Sequence, residues 1–185
     1  TYDRVISTLP TPVLTKLTTN IFSQKYLSRF YKLKYLHAIT LILETKKPIL
    51  ESTYWLNICT DKIPFMILAQ HTNFADKKNY DNNHLSYIGW YVDRDSKILK
   101  MDKEEILKLV SPHLEKIGNH KLIIKNSFLF KAPFAQPIFN KDFEKNMPTF
   151  KTPDKNFFVA NLDMTYPYDR GTNYAVKLGK QDAGM

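Results

Sequence analysis

The stretch Asn156-Phe-Phe-Val-Ala-Asn-Leu-Asp-Met-Thr-Tyr-Pro-Tyr-Asp-Arg-Gly-Thr-Asn-Tyr-Ala-Val-Lys-Leu-Gly179 decides how the chain is read. A short apolar run ends in polar residues, and a Tyr166-Pro-Tyr-Asp169 loop follows. Arg170-Gly-Thr-Asn173 then opens a segment patterned as a helix. Strand, loop and helix N-terminus in that order make a corner suited to an anion. The first backbone N–H groups of a helix lack partners, and the positive end of its dipole faces the same way. The corner therefore suggests a phosphate-bearing cofactor.

The far end of the chain has the matching half of this pattern. Val5-Ile-Ser-Thr8 reads as a short buried strand stopped by Leu9-Pro10, and Pro12 suits the first turn of a helix through Leu17. Both ends thus carry strands that lead directly into helices, as in nucleotide-binding α/β folds. The opening residues resemble neither an initiator methionine nor a signal peptide. They read as a strand entered part-way through a longer protein.

The middle reads differently. Tyr35 to Leu43 is rich in β-branched residues and too apolar for an edge, so a central strand is expected. Strands follow at Ser52 to Cys59, Phe65 to Gln70, His84 to Val92 and Leu122 to Phe130, with Ala135 to Phe139 as a short extended piece. A polar loop is expected over 75–83. Asp102 with Glu105 three residues on predicts a capped helix, with Ile106, Leu107, Leu109 and Val110 as its apolar face and Gly118 at its end. The fold class expected is α+β: a mixed, largely antiparallel sheet with a few helices, flanked by terminal pieces of an incomplete α/β domain. The boundaries are a strand of that outer domain at 1–10, an inserted domain at 11–150, and a closing strand, loop and helix at 151–185.

Composition narrows the options. With 185 residues, 43% hydrophobic and 14% aromatic, the chain can bury a core. The formal charge of +9 allows nucleic acid, an acidic membrane surface or an anionic small molecule as partner. Lysines outnumber arginines, which argues against base reading, and no nucleic acid is expected. Lys25, Arg29, Lys32 and Lys34 share a segment with Tyr26, Leu27, Phe30, Tyr31 and Leu33. Such a segment can lie on a membrane; the plainer reading packs its apolar side on the core with the charges in water. The single cysteine, Cys59, excludes an internal disulfide and is expected to be a buried, inert thiol in a reducing, cytoplasmic setting. His37, His71, His84, His113 and His120 have no metal-ligand spacing, and no metal is expected.

Three segments carry a resemblance. Asp3-Arg-Val-Ile-Ser-Thr-Leu-Pro10 resembles the strand and Thr-x-Pro turn by which the FAD domain of the flavin-dependent amine oxidase superfamily, protoporphyrinogen oxidases included, passes to its substrate domain. Phe157 to Gly179 is similar to the closing strand, loop and helix of the same proteins, and Lys131-Ala-Pro-Phe-Ala-Gln-Pro-Ile-Phe139 to the segment that precedes it. The resemblance implies an FAD-dependent oxidoreductase that takes a hydride from a small or lipophilic substrate. It places Arg170, Gly171, Thr172 and Asn173 beside the flavin.

One departure concerns the Gly-Asp that the family carries after the closing strand. Here Ala160 is followed by Asn161-Leu-Asp163, so either Asp163 takes that role from a shifted position or the contact is absent. Tyr166 and Gln136 are implied as substrate contacts, and from the aromatic sheet residues Trp90 and Tyr54. No Gly-x-Gly-x-x-Gly fingerprint occurs, so an N-terminal FAD-binding half of the same protein is the expected partner, and this portion alone is expected to be inactive. A non-oxidative flavin-dependent nucleotide-sugar mutase and a stand-alone basic binding module are the alternatives. Peripheral contact with the inner membrane face fits the charge; the oligomeric state is not legible.

Overall fold

The structure is a computed structural model, and it describes residues 2–183. In chain order, β1 (Val5–Ser7) leads to α1 (Thr11–Leu17) and a short α2 (Gln24–Leu27). The strands β2 (Lys34–Thr45), β3 (Trp55–Asn57), β4 (Ile67–Gln70) and β5 (His84–Val92) follow, then α3 (Lys103–Gly118) and β6 (Ile124–Ile138). The chain closes with α4 (Phe143–Asn146), β7 (Phe157–Val159) and α5 (Thr172–Ala183). The architecture is α+β, with a mainly antiparallel five-stranded sheet and a two-stranded parallel one.

Two compact units divide the chain. The described residues up to Tyr35 and from Pro137 onward form one, and Leu36–Gln136 the other. Residues 11–35 and 137–150, grouped with the middle of the chain on sequence, thus pack in the unit that holds both ends.

The middle unit is built on the sheet order β3-β4-β5-β2-β6. Cross-strand register pairs Ile39 with Trp90 and Leu41 with Ile88, and Leu68 lies beside Ile88 on the next strand. Paired residues share a face of a sheet, and this face is covered by Ile106, Val110 and Leu114 of α3, each fully buried. The helix starts where its chemistry requires. Asp102 accepts from the Glu105 backbone N–H at 2.9 Å, and Glu105 returns a carboxylate to the Asp102 N–H at 2.8 Å. It ends at Gly118 as expected, and Asn119 after it, with φ of 51°, is the left-handed cap.

Gln70 pins the sheet to the loop before it. Its Oε1 accepts from the backbone N–H groups of Ile49 and Leu50 and from Ser86, while Nε2 donates to Thr72 and to the Leu85 carbonyl. A fully buried amide is tolerated because its bonds are made.

In the other unit β1 and β7 pair in parallel, Ile6 beside Phe158. Phe22, Leu27, Phe30, Leu33 and Phe143 form its core.

Several expectations are corrected. Val5 and Ile6 are 42% and 56% exposed, so β1 is a short strand with one open flank rather than a buried one. Cys59 is exposed: β3 ends at Asn57, and the cysteine sits in the turn beyond, outside the sheet. Leu122 to Phe130 and Ala135 to Phe139 are not separate pieces but run together as β6. The segment from Lys25 to Lys34 is not one amphipathic helix; it is α2 followed by a tight turn at Phe30–Lys32, with Leu27 and Phe30 turned inward.

Candidate functional site

Chain leaves β1 and β7 in the same direction, and in parallel α/β arrangements ligands bind beyond the carboxyl ends of the strands. From β1 it passes through Thr8-Leu9-Pro10 into α1, whose first residue is Thr11. From β7 it passes through Asn161 and a tight turn at Leu162–Thr165. A polar network joins the two exits. Asn161 Nδ2 donates to the Leu9 carbonyl at 3.0 Å and to Thr11 Oγ1 at 2.9 Å. Thr11 and Tyr35 both donate to Asp163 Oδ2, the tyrosine at 2.7 Å. Asp163 is 1% exposed, and burial pushes its pKa above the ordinary carboxylate range, partly opposed by the Thr11 and Tyr35 hydrogen bonds.

Asp163 therefore faces inward and ties the closing strand to the first helix. Its second oxygen, Oδ1, is buried with no hydrogen-bond partner.

The Arg170–Asn173 turn is different. Asp169 Oδ1 accepts from the Arg170 N–H at 2.8 Å, and the first helical bond of α5 runs from the Ala175 N–H to the Gly171 carbonyl at 3.0 Å. Arg170, Thr172 and Asn173 are exposed. The opening N–H groups of a helix have no intrahelical acceptor and concentrate positive partial charge. A Cβ added at Gly171 would come within 2.6 Å of Asn173 Oδ1, so a side chain there would push Asn173 out of place. Tyr168 stacks on Tyr174 with ring centres 4.7 Å apart and planes 7° apart, with the Lys177 ammonium 5.7 Å from the Tyr168 ring. A groove of about 420 Å³ beside them is lined by Asn173, Val176, Lys177, Lys180 and Gln181. This cationic, hydrogen-bond-donating turn fits an anionic group of a cofactor. Tyr174 and Lys177 were not picked out by sequence; for Lys177 the available signal was its i, i+4 spacing from Asn173.

Of the implied substrate contacts, Tyr166 is half-buried and packs edge-on to Phe139 at 5.1 Å and beside Phe143 at 5.4 Å. Gln136 lies on β6, half-buried. Tyr54 precedes β3, 43% exposed, with Phe74 at 5.4 Å. Trp90 is a correction: it is 4% exposed and belongs to the core under α3, so its ring packs and lines no surface. The register row Trp55–Ala69–Tyr87–Ile42 lies on the side away from α3, with Gly89 and Tyr91 on the same side.

No group of His, Cys, Asp and Glu among the described residues could hold a metal ion. No helix among them is long and apolar enough to cross a membrane.

The family model described as flavin-containing amine oxidoreductase matches residues 1–183. The chain belongs to this family. Membership implies a flavin cofactor and sets aside the stand-alone basic module. Solved structures agree on the fold. A protein named as a protoporphyrinogen oxidase from Exiguobacterium superposes with a TM-score of 0.71 at 12% identity, over 99% of this chain and 42% of that one. An oxidoreductase from Methanosarcina mazei gives 0.61 at 19% identity, over 86% of this chain and 37% of that one. A reduced UDP-galactopyranose mutase gives 0.61 at 15% identity, over 78% and 32%. The chain thus spans less than half the length of the structures it resembles. No curated protein sequence matches it.

Proposed function

We infer that this chain is the substrate-domain portion, with the closing strand and helix of the cofactor domain, of an FAD-dependent oxidoreductase. The observation that carries the reading is the exposed Arg170-Gly171-Thr172-Asn173 turn at the start of α5, in a chain of the flavin-containing amine oxidoreductase family. A bound flavin supplies the acceptor for a hydride drawn from a small or lipophilic substrate. The turn's contribution is electrostatic: its N–H groups and helix dipole favour negative charge on the cofactor, and Gly171 leaves room for close approach. In this reading the dinucleotide fingerprint, absent from these residues, comes from an N-terminal FAD-binding half, and turnover requires both. Candidate substrate contacts are Trp55, Tyr87 and Tyr91 on the open sheet face, Tyr54 before β3 and Gln136 on β6, and, separately, Tyr166 in the closing loop. A cytoplasmic enzyme is the setting.

The likeness to a UDP-galactopyranose mutase favours a second reading, a flavin-dependent rearrangement of a nucleotide sugar without net oxidation. Anaerobic mixing with candidate substrates separates the two. An oxidoreductase bleaches its flavin and releases a product two hydrogens poorer. A mutase, reduced beforehand, returns an isomer of its nucleotide sugar and no oxidised product.

A further inference from the structure

The run Gln70-His71-Thr72-Asn73 leaves β4 through a tight turn at His71–Asn73. Three of its four side chains are committed to structure. Gln70 holds the Ile49 and Leu50 N–H groups and the Leu85 carbonyl. Thr72 accepts from the Gln70 amide at 3.1 Å and meets His84 Nδ1 at 3.3 Å, and Asn73 donates to the Leu50 and Thr53 carbonyls. His71 is different. It is half-buried, and its Nε2 lies 2.8 Å from the Tyr80 hydroxyl. Its Nδ1 has no hydrogen-bond partner among the described residues.

The ring is also fixed in direction. It stands edge-on to Tyr80, with centres 5.5 Å apart, and to Tyr87, also at 5.5 Å. Tyr87 shares a cross-strand row with Ala69 and Trp55. The alternate row, Leu68 and Ile88, is the one packed under α3, so Tyr87 and Trp55 stand on the opposite face. Contact with Tyr87 therefore puts the imidazole at the open face, where Trp55 is 48% exposed. The Trp55 indole N–H is spent on Asn57 at 2.9 Å, which leaves this ring its apolar surface to offer. A fixed hydrogen-bonding atom beside aromatic rings is an arrangement that orients a ligand while the rings supply buried area.

We propose that His71 is a specificity-determining residue of the open sheet face: its Nδ1 hydrogen-bonds the hydroxyl or carbonyl group of a ring-bearing, lipophilic substrate lying on Tyr87 and Trp55. The proposal rests on the reading of this face as a substrate contact. Tyr80 acts through His71 as a positioning residue, because its hydroxyl holds Nε2 and leaves Nδ1 for the ligand. The imidazole meets a hydroxyl or a carbonyl according to which nitrogen carries the proton. A polar group matched in this way gains about tenfold in affinity over a methyl group in the same place.

The test is equilibrium dialysis of the polypeptide that carries this chain against β-naphthol and β-methylnaphthalene, which differ by hydroxyl for methyl. The parent should favour the naphthol about tenfold. His71→Phe, which keeps a ring against Tyr87, should bring the naphthol down to the level of methylnaphthalene and leave the latter unchanged. His71→Asn, whose amide reaches the place of Nδ1, should keep part of the preference, and Tyr87→Phe should keep it whole. Tyr80→Phe, which frees the imidazole without removing it, should cut the preference about threefold and decides the matter if His71→Phe does not fold. Equal losses for both probes in His71→Phe would make the histidine structural and overturn the proposal. So would a preference that survives in His71→Phe or Tyr80→Phe, one that vanishes in Tyr87→Phe, or no binding of either probe. Dialysis reads binding without turnover. A preference carried by His71 in a protein that takes up no flavin would keep this site and overturn only the oxidoreductase reading.

Discussion

Tyr35 donates its hydroxyl to Asp163 Oδ2 at 2.7 Å across 128 residues of sequence. Thr11 donates to the same oxygen, so one buried carboxylate holds the first helix, the start of β2 and the turn after β7 together. Replacing Tyr35 by Phe leaves the carboxylate with one donor fewer in a dry place. A loss of about 1–3 kcal/mol in unfolding free energy is expected from urea denaturation. A midpoint indistinguishable from the parent would mean that the network is incidental.

The same carboxylate sets a pH dependence. Its folded-state value lies above the ordinary one of about 3.9 because burial disfavours the charged form. Over the interval between the two values the folded chain holds a proton that the unfolded chain has released. Its contribution to stability is full below the unfolded value and is lost as pH rises through the folded one. Asp163→Asn cannot ionise, so this decline should vanish from a series of urea midpoints against pH. Parallel curves for parent and variant would contradict the assignment.

Trp90 and Tyr54 looked alike in the sequence and differ in place. Trp90→Ala opens a cavity under α3 and should cost about 3–5 kcal/mol. Tyr54→Ala, at an exposed position, should stay within about 0.5 kcal/mol. Thermal melts of the two variants in parallel decide it.

Gln70 gives a sharper test of the sheet. Gln70→Leu keeps the volume but strands the Ile49 and Leu50 N–H groups, for a loss of about 2–4 kcal/mol. Amide exchange at those two positions should accelerate with it; protection unchanged from the parent would count against the pin.

At Gly171 an added side chain displaces only the flexible end of Asn173, so the fold should tolerate Gly171→Val. Flavin affinity should drop about ten- to hundredfold, the worth of charge-assisted hydrogen bonds lost at the turn. Fluorescence titration with FAD measures this, and an unaltered affinity would remove the turn from the site.

Where sequence chemistry is local, the fold was legible. Asp102 and Glu105 announce α3 because a capping box is made by residues three apart, and the alternation of His84 to Val92 matches β5 end to end. Properties set by distant partners were not. Cys59 continues an apolar pattern, yet β4 pairs only with Trp55–Asn57 and leaves the thiol outside. Alternation separates Trp90 from Tyr87 and Tyr91, but only the arrival of α3 says which side is core. The Arg170–Asn173 turn was legible because helix starts are local; the burial of Asp163 was not, since Thr11 and Tyr35 come from the other end of the chain.

The central claim is that the turn opening α5 serves a flavin. The visible absorption spectrum of the protein, purified without added cofactor in the polypeptide that carries this chain, tests it most directly. The account predicts flavin bands, FAD released on denaturation, and weaker bands in Gly171→Val. A colourless protein that also takes up no added FAD would contradict it.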